Sequence, residues 1–352
     1  MSTICTSVDF HTAGEPFRIV AEPPVEIPGS SVAERRELAG PGSAADDLRR
    51  LLCFEPRGHS DMYGGFITEP DDDGADFGVL FWHKDGFSTA CGHGTMALGA
   101  WAVSSGIVAV DPSGTTEVTI DVPSGRVRAQ VHTDAGWRAA SVDFVNVPSR
   151  LVSSGITVDT SRGPVSVDLA WGGAIYALVN VAHLGAAGSS QDAEVGHLGE
   201  VSCEVAPENL TALIALGREI KAGLADHPGT VHPEDDRLSG VYGTIFVDRF
   251  GTLPSGELHQ RNVTVFADGQ VDRSPCGSGT AARVAALHAS GELRLGQTLV
   301  HESIVGTRFR ARVLEETADG VIPVVTGSAH RVASLTFEVD ELDDLVPGFV
   351  LR

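Results

Sequence analysis

The stretch that decides the fold is Cys91-Gly92-His93-Gly94-Thr95, and it recurs in the second half of the chain as Cys276-Gly277-Ser278-Gly279-Thr280. In both copies a cysteine precedes a glycine-rich turn, and the turn leads into an almost wholly apolar segment. Random placement would rarely put two thiols in matching frames. A functional interpretation therefore has to account for both cysteines.

Each turn is followed by a segment with the composition of a buried helix, Thr95–Val103 in the first copy and Thr280–Ala289 in the second. Gly106 and Gly291 lie fifteen positions after their cysteines (106 − 91 and 291 − 276). Glycine commonly ends a helix, so we predict that these two glycines do so. A helix that is apolar on all sides has to be buried on all sides.

Alternating polar and apolar residues near these helices predict antiparallel strands. The clearest are Glu117–Val122, Arg126–Val131 and Ala140–Val145, and the second half offers Val241–Val247 and Arg261–Phe266. We therefore predict an α+β fold of two halves, each with a mainly antiparallel sheet wrapped around a central helix. Two such halves would bring the two helix starts to a shared cleft.

A second motif supports an internal duplication. Arg308–Ala311 repeats the pattern of Arg126–Ala129 at an offset of 182 (308 − 126), against 185 for the cysteines (276 − 91). The loosely patterned stretch Pro148–Pro164 is predicted to hold the boundary between the halves. Leu210–Ala225 is predicted to be an amphipathic helix of the second half.

Composition excludes several classes of function. A formal charge of −22 argues against nucleic acid or anionic membrane as a partner. The N-terminal residues lack a basic stretch followed by an apolar one, which argues against a secretory signal. The cysteines have no CxxC spacing, so reduced thiols in a cytoplasmic protein fit better than disulfides or a zinc site; they are Cys5, Cys53, Cys91, Cys203 and Cys276.

The chemistry of the two turns suggests proton transfer. A helix start offers unpaired N–H groups and a positive dipole end, which bind a carboxylate and favour a thiolate over a thiol. One thiolate could remove the proton alpha to a bound carboxylate while the opposing thiol delivers a proton to the other face. No metal or organic cofactor is required. His93 and Asp272 could pair with a substrate nitrogen, although a histidine in a glycine turn could instead make a structural hydrogen bond.

Four other interpretations fit the sequence less well. A nucleotide-phosphate loop needs Gly-Lys-Ser/Thr, and pyridoxal phosphate needs a lysine, but Lys84 and Lys221 are the lysines and neither lies in a suitable context. A Cys91–His93 nucleophile would leave Cys276 unexplained, and residues two apart at a helix start are not expected to hydrogen bond reliably. A non-enzymatic binding module of two repeats would tolerate Cys→Ser changes.

Four motifs resemble the proline racemase family, which includes proline racemase, 4-hydroxyproline 2-epimerase and trans-3-hydroxyproline dehydratase. They are Asp9–Pro16, Glu55–Gly64, Cys91–Thr95 and Asp272–Thr280. The resemblance implies a diaminopimelate-epimerase-like fold of two pseudo-symmetric halves, with the C-terminal strands returning to the first half. The first half would comprise residues 1–155 and 325–352, and the second half residues 156–324.

By this resemblance Cys91 and Cys276 are the catalytic acid/base pair. The residues implied to bind substrate are Gly92, His93, Asp272, Gly277, Ser278 and Tyr242. The resemblance implies proline or hydroxyproline as the substrate and no cofactor. A homodimer is the assembly that we consider.

Within the family, we expect C2 epimerisation of trans-4-hydroxy-L-proline to cis-4-hydroxy-D-proline, with proline racemase and trans-3-hydroxy-L-proline dehydratase as alternatives. Dehydratase members resemble this chain in Leu238–Ile245 and Val265–Gln270, but they typically carry threonine where this chain has Cys276. Many hydroxyproline epimerases have histidine near the position of Tyr242, which argues against the 4-hydroxy substrate. The second thiol, which epimerisation needs and elimination of water does not, decides for an epimerase.

Overall fold

The computed structural model describes residues 2–184, 204–340 and 342–351. The strands are, in chain order, β1 (Ser2–Thr12), β2 (Glu15–Val20), β3 (Gly64–Thr68), β4 (Phe77–His83), β5 (Gly86–Phe87), β6 (Thr115–Val122), β7 (Gly125–Thr133), β8 (Ala139–Val145), β9 (Arg150–Thr160), β10 (Gly163–Trp171), β11 (Ile175–Asn180), β12 (Val241–Thr252), β13 (Leu258–Phe266), β14 (Gln270–Val271), β15 (Leu299–Ser303), β16 (Arg308–Thr317), β17 (Gly320–Gly327) and β18 (Ala329–Val339). The α-helices are α1 (Val32–Leu38), α2 (Ala44–Cys53), α3 (Gly92–Ser104), α4 (Leu210–Gly223) and α5 (Gly277–Ala289).

The chain divides into two compact units. Unit 1 comprises Met1–Val147 and Ile322–Arg352, and unit 2 comprises Pro148–Val321. Each unit is therefore mixed α+β and contains one of the two cysteine-led helices.

In unit 1 the sheet is mainly antiparallel and is built from both ends of the chain. Strand β1 pairs with β2 on one side and with the late strand β18 on the other. Strands β6, β7 and β8 form an antiparallel meander, and β8 also pairs with β17. Helix α3 packs against β7, β8 and β18, and its residues from Gly92 to Val103 are all buried. The absence of any charged side chain in α3 allows this complete burial.

In unit 2 the same arrangement recurs around α5. Strands β9, β10 and β11 pair antiparallel in order, β11 pairs parallel with β12, and β12 pairs antiparallel with β13. Helix α5 is buried from Gly277 to Leu287 against β9, β10, β11 and β16. Helix α4 covers the other side of this sheet with a one-sided apolar face, on which Leu213, Leu216 and Ile220 are buried.

The predicted strands and helix ends are largely confirmed. Gly106 and Gly291 follow α3 and α5 with φ angles of 72° and 77°, in the left-handed region where glycine has no steric penalty. The meander of the first half and the strands that precede the second cysteine lie where the alternation predicted them.

One strand and one helix were not predicted. The stretch Pro148–Pro164, which was predicted to hold the boundary, contains the eleven-residue strand β9. Many β9 side chains are exposed or half-buried, so its sequence lacks the regular apolar alternation of a half-buried strand. Helix α1 was unpredicted; Ser31 caps it by accepting a hydrogen bond from the Glu34 N–H.

Candidate active site

In unit 1, Cys91 is the N-cap residue of α3 and is 4% exposed. Its Sγ accepts a hydrogen bond from the Gly94 N–H, with 3.3 Å between nitrogen and sulfur. The Thr95 hydroxyl donates to the Cys91 carbonyl at 2.8 Å, and the Thr12 hydroxyl donates to the His93 carbonyl at 2.9 Å. These bonds fix the first turn of the helix and hold the thiol at its positive end.

Only glycine fits at the third helical position of α3. A Cβ on Gly94 would lie 2.8 Å from Cys91 Sγ and 2.5 Å from a ring carbon of Phe17. The repeated glycine of the motif therefore makes room for the sulfur itself.

His93 lies beside Cys91, although the two residues were not expected to hydrogen bond reliably. Cys91 Sγ lies 3.5 Å from His93 Nδ1 and 3.6 Å from His93 Nε2. Because the sulfur is almost equidistant from both nitrogens, it lies on the N–H axis of neither. The contact therefore lacks the directed geometry of a thiol activated by a histidine base.

The His93 ring is held in an aromatic enclosure. It meets the rings of Tyr63 and Phe17 edge-on, with centroids 5.0 Å and 5.8 Å away. Burial lowers the pKa of His93 to about 3, despite an opposing hydrogen bond to the Pro16 backbone. His93 is therefore neutral at physiological pH, with one nitrogen able to accept a hydrogen bond.

In unit 2, Cys276 is the N-cap residue of α5 and is 5% exposed. Its backbone has φ 63° and ψ 112°, in a region that residues other than glycine rarely adopt. The Ser274 hydroxyl accepts a hydrogen bond from the Cys276 N–H at 3.1 Å. A Cβ on Gly279 would lie 2.9 Å from Cys276 Sγ, so this glycine plays the part that Gly94 plays in unit 1.

The electrostatics around Cys276 favour the neutral thiol. Burial, and then the charge of Asp272, raise the pKa of Cys276 well above its ordinary range, although hydrogen bonds with Gly279, Thr264 and Tyr176 oppose the shift. Burial likewise raises the pKa of Asp272 to about 6. The Asp272 carboxylate accepts from the Ser274 N–H at 2.8 Å.

Tyr176 is a functional candidate that the sequence analysis missed. Its hydroxyl lies 3.8 Å from Cys276 Sγ and 2.7 Å from the Ser278 hydroxyl oxygen, and the residue is fully buried. Tyr242, a predicted substrate residue, meets Tyr176 edge-on at 5.7 Å and stacks on Phe266 at 5.6 Å. A tyrosine in an apolar strand carries no local signal of function, and 102 positions separate Tyr176 from Ser278.

The predicted site residues therefore gather around two helix starts, one in each unit. Gly92 and His93 open α3 beside Cys91, and Gly277 and Ser278 open α5 beside Cys276. In both places a buried thiol lies at the N-terminus of a helix, where the N–H groups of the first turn are suited to binding a carboxylate. Within residues 2–184, 204–340 and 342–351, no group of three or more His, Cys, Asp or Glu side chains could hold a metal ion.

Cys5 and Cys53 belong to one apolar core cluster of unit 1, which contains neither Cys91 nor Cys276. Cys5 and Cys53 are buried and free, and burial raises the pKa of both thiols, that of Cys53 to about 12. Cys203 lies outside the described residues. In the described part of the chain, no helix combines the length and the apolarity that crossing a membrane would require.

The fold is of the diaminopimelate-epimerase-like class. A predicted epimerase from Pseudomonas aeruginosa, 14% identical, superposes with a TM-score of 0.56 over 96% of this chain and 100% of that chain. Two closer structures are a hydroxyproline epimerase from Agrobacterium vitis with trans-4-hydroxy-L-proline bound, and a probable proline racemase from Agrobacterium radiobacter with carbonate bound. Both are 28% identical with TM-scores of 0.86; both alignments cover 98% of this chain, and 94% and 96% of those chains respectively.

The chain belongs to the proline racemase family, whose model matches residues 7–350. Among its relatives, a trans-3-hydroxy-L-proline dehydratase from Burkholderia cenocepacia is 45% identical over 100% of this chain and 99% of that protein. A 3-hydroxyproline 2-epimerase from Burkholderia multivorans is 44% identical over the same shares. A proline racemase from Clostridioides difficile is 36% identical over 98% of each chain. The family's racemase, epimerase and dehydratase activities define the class of enzyme to which this chain belongs.

Proposed function

We propose that this enzyme is a cofactor-independent epimerase that inverts C2 of a hydroxyproline, with Cys91 and Cys276 as the acid/base pair. The observation that carries the proposal is the matched construction of the two helix starts. Each has a buried cysteine at the N-cap and, three residues later, a glycine whose missing Cβ leaves space for the sulfur. A dehydratase needs one such thiol, and an epimerase needs two.

The two thiols differ, and the difference suggests the direction of proton transfer. The Cys91 sulfur accepts the Gly94 N–H, which stabilises negative charge on it. The Cys276 sulfur is buried beside Asp272, which disfavours the thiolate. In the forward reaction the C2–H bond breaks, the proton passes to the Cys91 thiolate, and the charge moves onto the substrate carboxylate.

The Cys276 thiol then donates its proton to the opposite face of C2. Configuration is inverted, and the enzyme is left with a Cys91 thiol and a Cys276 thiolate. The reverse reaction, or proton exchange with solvent, restores the starting state. Neutral His93 is proposed to accept a hydrogen bond from the substrate ammonium, and Asp272 to offset its charge.

For the substrate we propose 3-hydroxyproline, because the relatives with 44–45% identity are named for enzymes of that amino acid. The second candidate is 4-hydroxyproline, the sequence-based choice, supported by the 28% identical epimerase that holds trans-4-hydroxy-L-proline. The two rings differ chemically. A hydroxyl on C3 is beta to the carbanion at C2 and can be expelled, whereas a hydroxyl on C4 cannot leave by that route.

The substrate test compares proline, trans-3-hydroxy-L-proline and trans-4-hydroxy-L-proline in deuterium oxide, followed by NMR and chiral chromatography. We expect trans-3-hydroxy-L-proline to gain deuterium at C2, keep its hydroxyl and change configuration, faster than the other two. Loss of the hydroxyl with formation of a pyrroline would assign the enzyme to the dehydratases. Faster turnover of the 4-hydroxy compound would favour the second candidate.

The mechanism test replaces Cys276 with serine. General acid–base groups contribute about 10²–10⁴-fold to rate, so we expect epimerisation to fall by at least about 100-fold. Cys5→Ala is the matched control, since Cys5 is buried in a core cluster that contains neither Cys91 nor Cys276. Unchanged turnover in Cys276→Ser would refute the two-thiol mechanism.

A further inference from the structure

Unit 2 contains a polar cavity of about 200 Å³ that the proposed reaction does not use. We call it the Arg283 cavity; Arg283 projects from α5, and Asp168, Asn180 and Arg249 line it from β10, β11 and β12. Arg283 lies two helical turns beyond Cys276, about 10 Å along the helix axis. Asn180 lies four residues along β11 from Tyr176, about 13 Å. The cavity is thus separate from the Cys276 helix start.

The guanidinium of Arg283 is only partly used by the protein. Arg283 is 9% exposed, and its Nε donates to the Gln260 side-chain oxygen at 2.9 Å. Within the described residues its two Nη groups have no hydrogen-bond partner and no ion pair. Burial, and then the charge of Arg249, lower the pKa of Arg283 to about 10, which leaves it charged at neutral pH. A buried cation with free donors is costly unless something accepts them.

Charges of both signs line the same space. Arg249 is ion-paired with Glu292, so these two residues largely neutralise each other. Asp168 accepts the Gly155 N–H through Oδ1 at 2.9 Å, and its Oδ2 has no hydrogen-bond partner among the described residues. The unused groups are therefore the Arg283 donors and one carboxylate oxygen of Asp168.

The free donors of Arg283 and the free oxygen of Asp168 together disfavour simple ions as the ligand. An inorganic anion would meet the carboxylate of Asp168, and a simple cation would meet the guanidinium of Arg283. A molecule that carries both a carboxylate and an ammonium satisfies both sides. The cavity volume is more than ten times the roughly 10–15 Å³ that one water needs, so a small organic molecule can enter.

We infer that the Arg283 cavity binds a small zwitterionic amino acid, at a site distinct from the two thiols. Its carboxylate accepts hydrogen bonds from the Nη groups of Arg283, and its ammonium donates to Asp168 Oδ2. The Asn180 side-chain amide lies at the same cavity wall and can donate to the carboxylate as well.

The test titrates the full chain with glycine, acetate and methylammonium, and measures binding by calorimetry and ligand-observed NMR. Asp168→Asn, which removes one charge with little change of shape, and Arg283→Met are the diagnostic variants. We expect glycine to bind at least about tenfold more tightly than acetate or methylammonium, and either variant to weaken glycine binding at least about tenfold. The turnover of Asp168→Asn should equal that of the wild type.

Three results would overturn the inference. Glycine affinity that is unchanged in Asp168→Asn would place the binding elsewhere, and this result stands even if Arg283→Met fails to fold. Acetate that binds as tightly as glycine would define a simple anion site. No binding of glycine would mean that water alone fills the cavity.

Discussion

Replacing Gly279 with alanine should displace the Cys276 thiol, and so slow the reaction, with only a small loss of stability. The added Cβ would lie 2.6 Å from Ile245 Cδ1 and 2.9 Å from Cys276 Sγ. Carbon atoms pack at about 3.5–4.0 Å, so the neighbours have to move by roughly 1 Å. Overpacking of a buried site costs about 1–3 kcal/mol, and the better helix propensity of alanine offsets up to about 1 kcal/mol.

The two effects lead to different expectations for stability and rate. A net loss of about 0–3 kcal/mol lowers Tm by no more than about 12 °C. A displacement of the reacting sulfur by about 1 Å can cost about 100-fold in rate. We therefore expect Gly279→Ala to remain folded and to lose about 100-fold in deuterium exchange at C2, as measured by NMR beside thermal unfolding.

A double variant provides the control. Ile245→Val removes the Cδ1 atom and with it the 2.6 Å contact, but leaves the 2.9 Å contact with the sulfur. In Gly279→Ala/Ile245→Val, Tm should return toward the wild-type value while exchange stays slow. Recovery of both would show that crowding of Ile245, and not displacement of the thiol, caused the loss. Wild-type exchange in the single variant would refute the role assigned to this glycine.

Three further predictions concern titration and helix termination. Tyr176→Phe removes a hydroxyl whose hydrogen bond lowers the pKa of Cys276. The limb of the pH–rate profile that reports ionisation of this thiol should therefore move to higher pH. A pH–rate profile that does not move would exclude the contact. Burial raises the pKa of Asp272 to about 6, whereas a free aspartate has a pKa of about 4. Between about pH 4 and pH 6 the folded state therefore binds a proton that the unfolded state has released. The free energy of unfolding consequently falls as pH rises through this range. Asp272→Asn should flatten that fall in urea unfolding curves, and an unchanged slope would contradict the assignment. Gly106→Ala forces a side chain into φ 72° and should cost about 1–2 kcal/mol, visible as a lower Tm without loss of specific activity.

Features coded by short stretches of sequence could be predicted, because their physical causes are local. A cysteine before a glycine-rich turn and an apolar run specified each helix start, and glycines such as Gly106 specified where the helices end. Alternation specified the exposed and buried faces of β6, β7 and β8. The cysteines, His93 and Asp272 were singled out because their chemistry is unusual at such positions.

What could not be predicted depends on contacts between distant parts of the chain. Tyr176 lies against Cys276 because β11 and α5 pack together, and nothing near Tyr176 in the sequence indicates that. Strand β9 exists because β10 pairs with it, although its own pattern is irregular. The contact between Cys91 and His93 also depends on the enclosing rings of Phe17 and Tyr63, which come from β2 and the approach to β3.

The pairing of β1 with β18 has a consequence for synthesis on the ribosome. Unit 2 is continuous in the chain, so all its strands are available once Val321 has emerged. In unit 1, β1 is synthesised more than three hundred residues before β18, the partner that runs along it from Ser2 to Thr12. An unpaired strand edge of this length readily associates with other chains. The nascent protein should therefore depend on a holdase chaperone at β1 until β18 leaves the ribosomal exit tunnel.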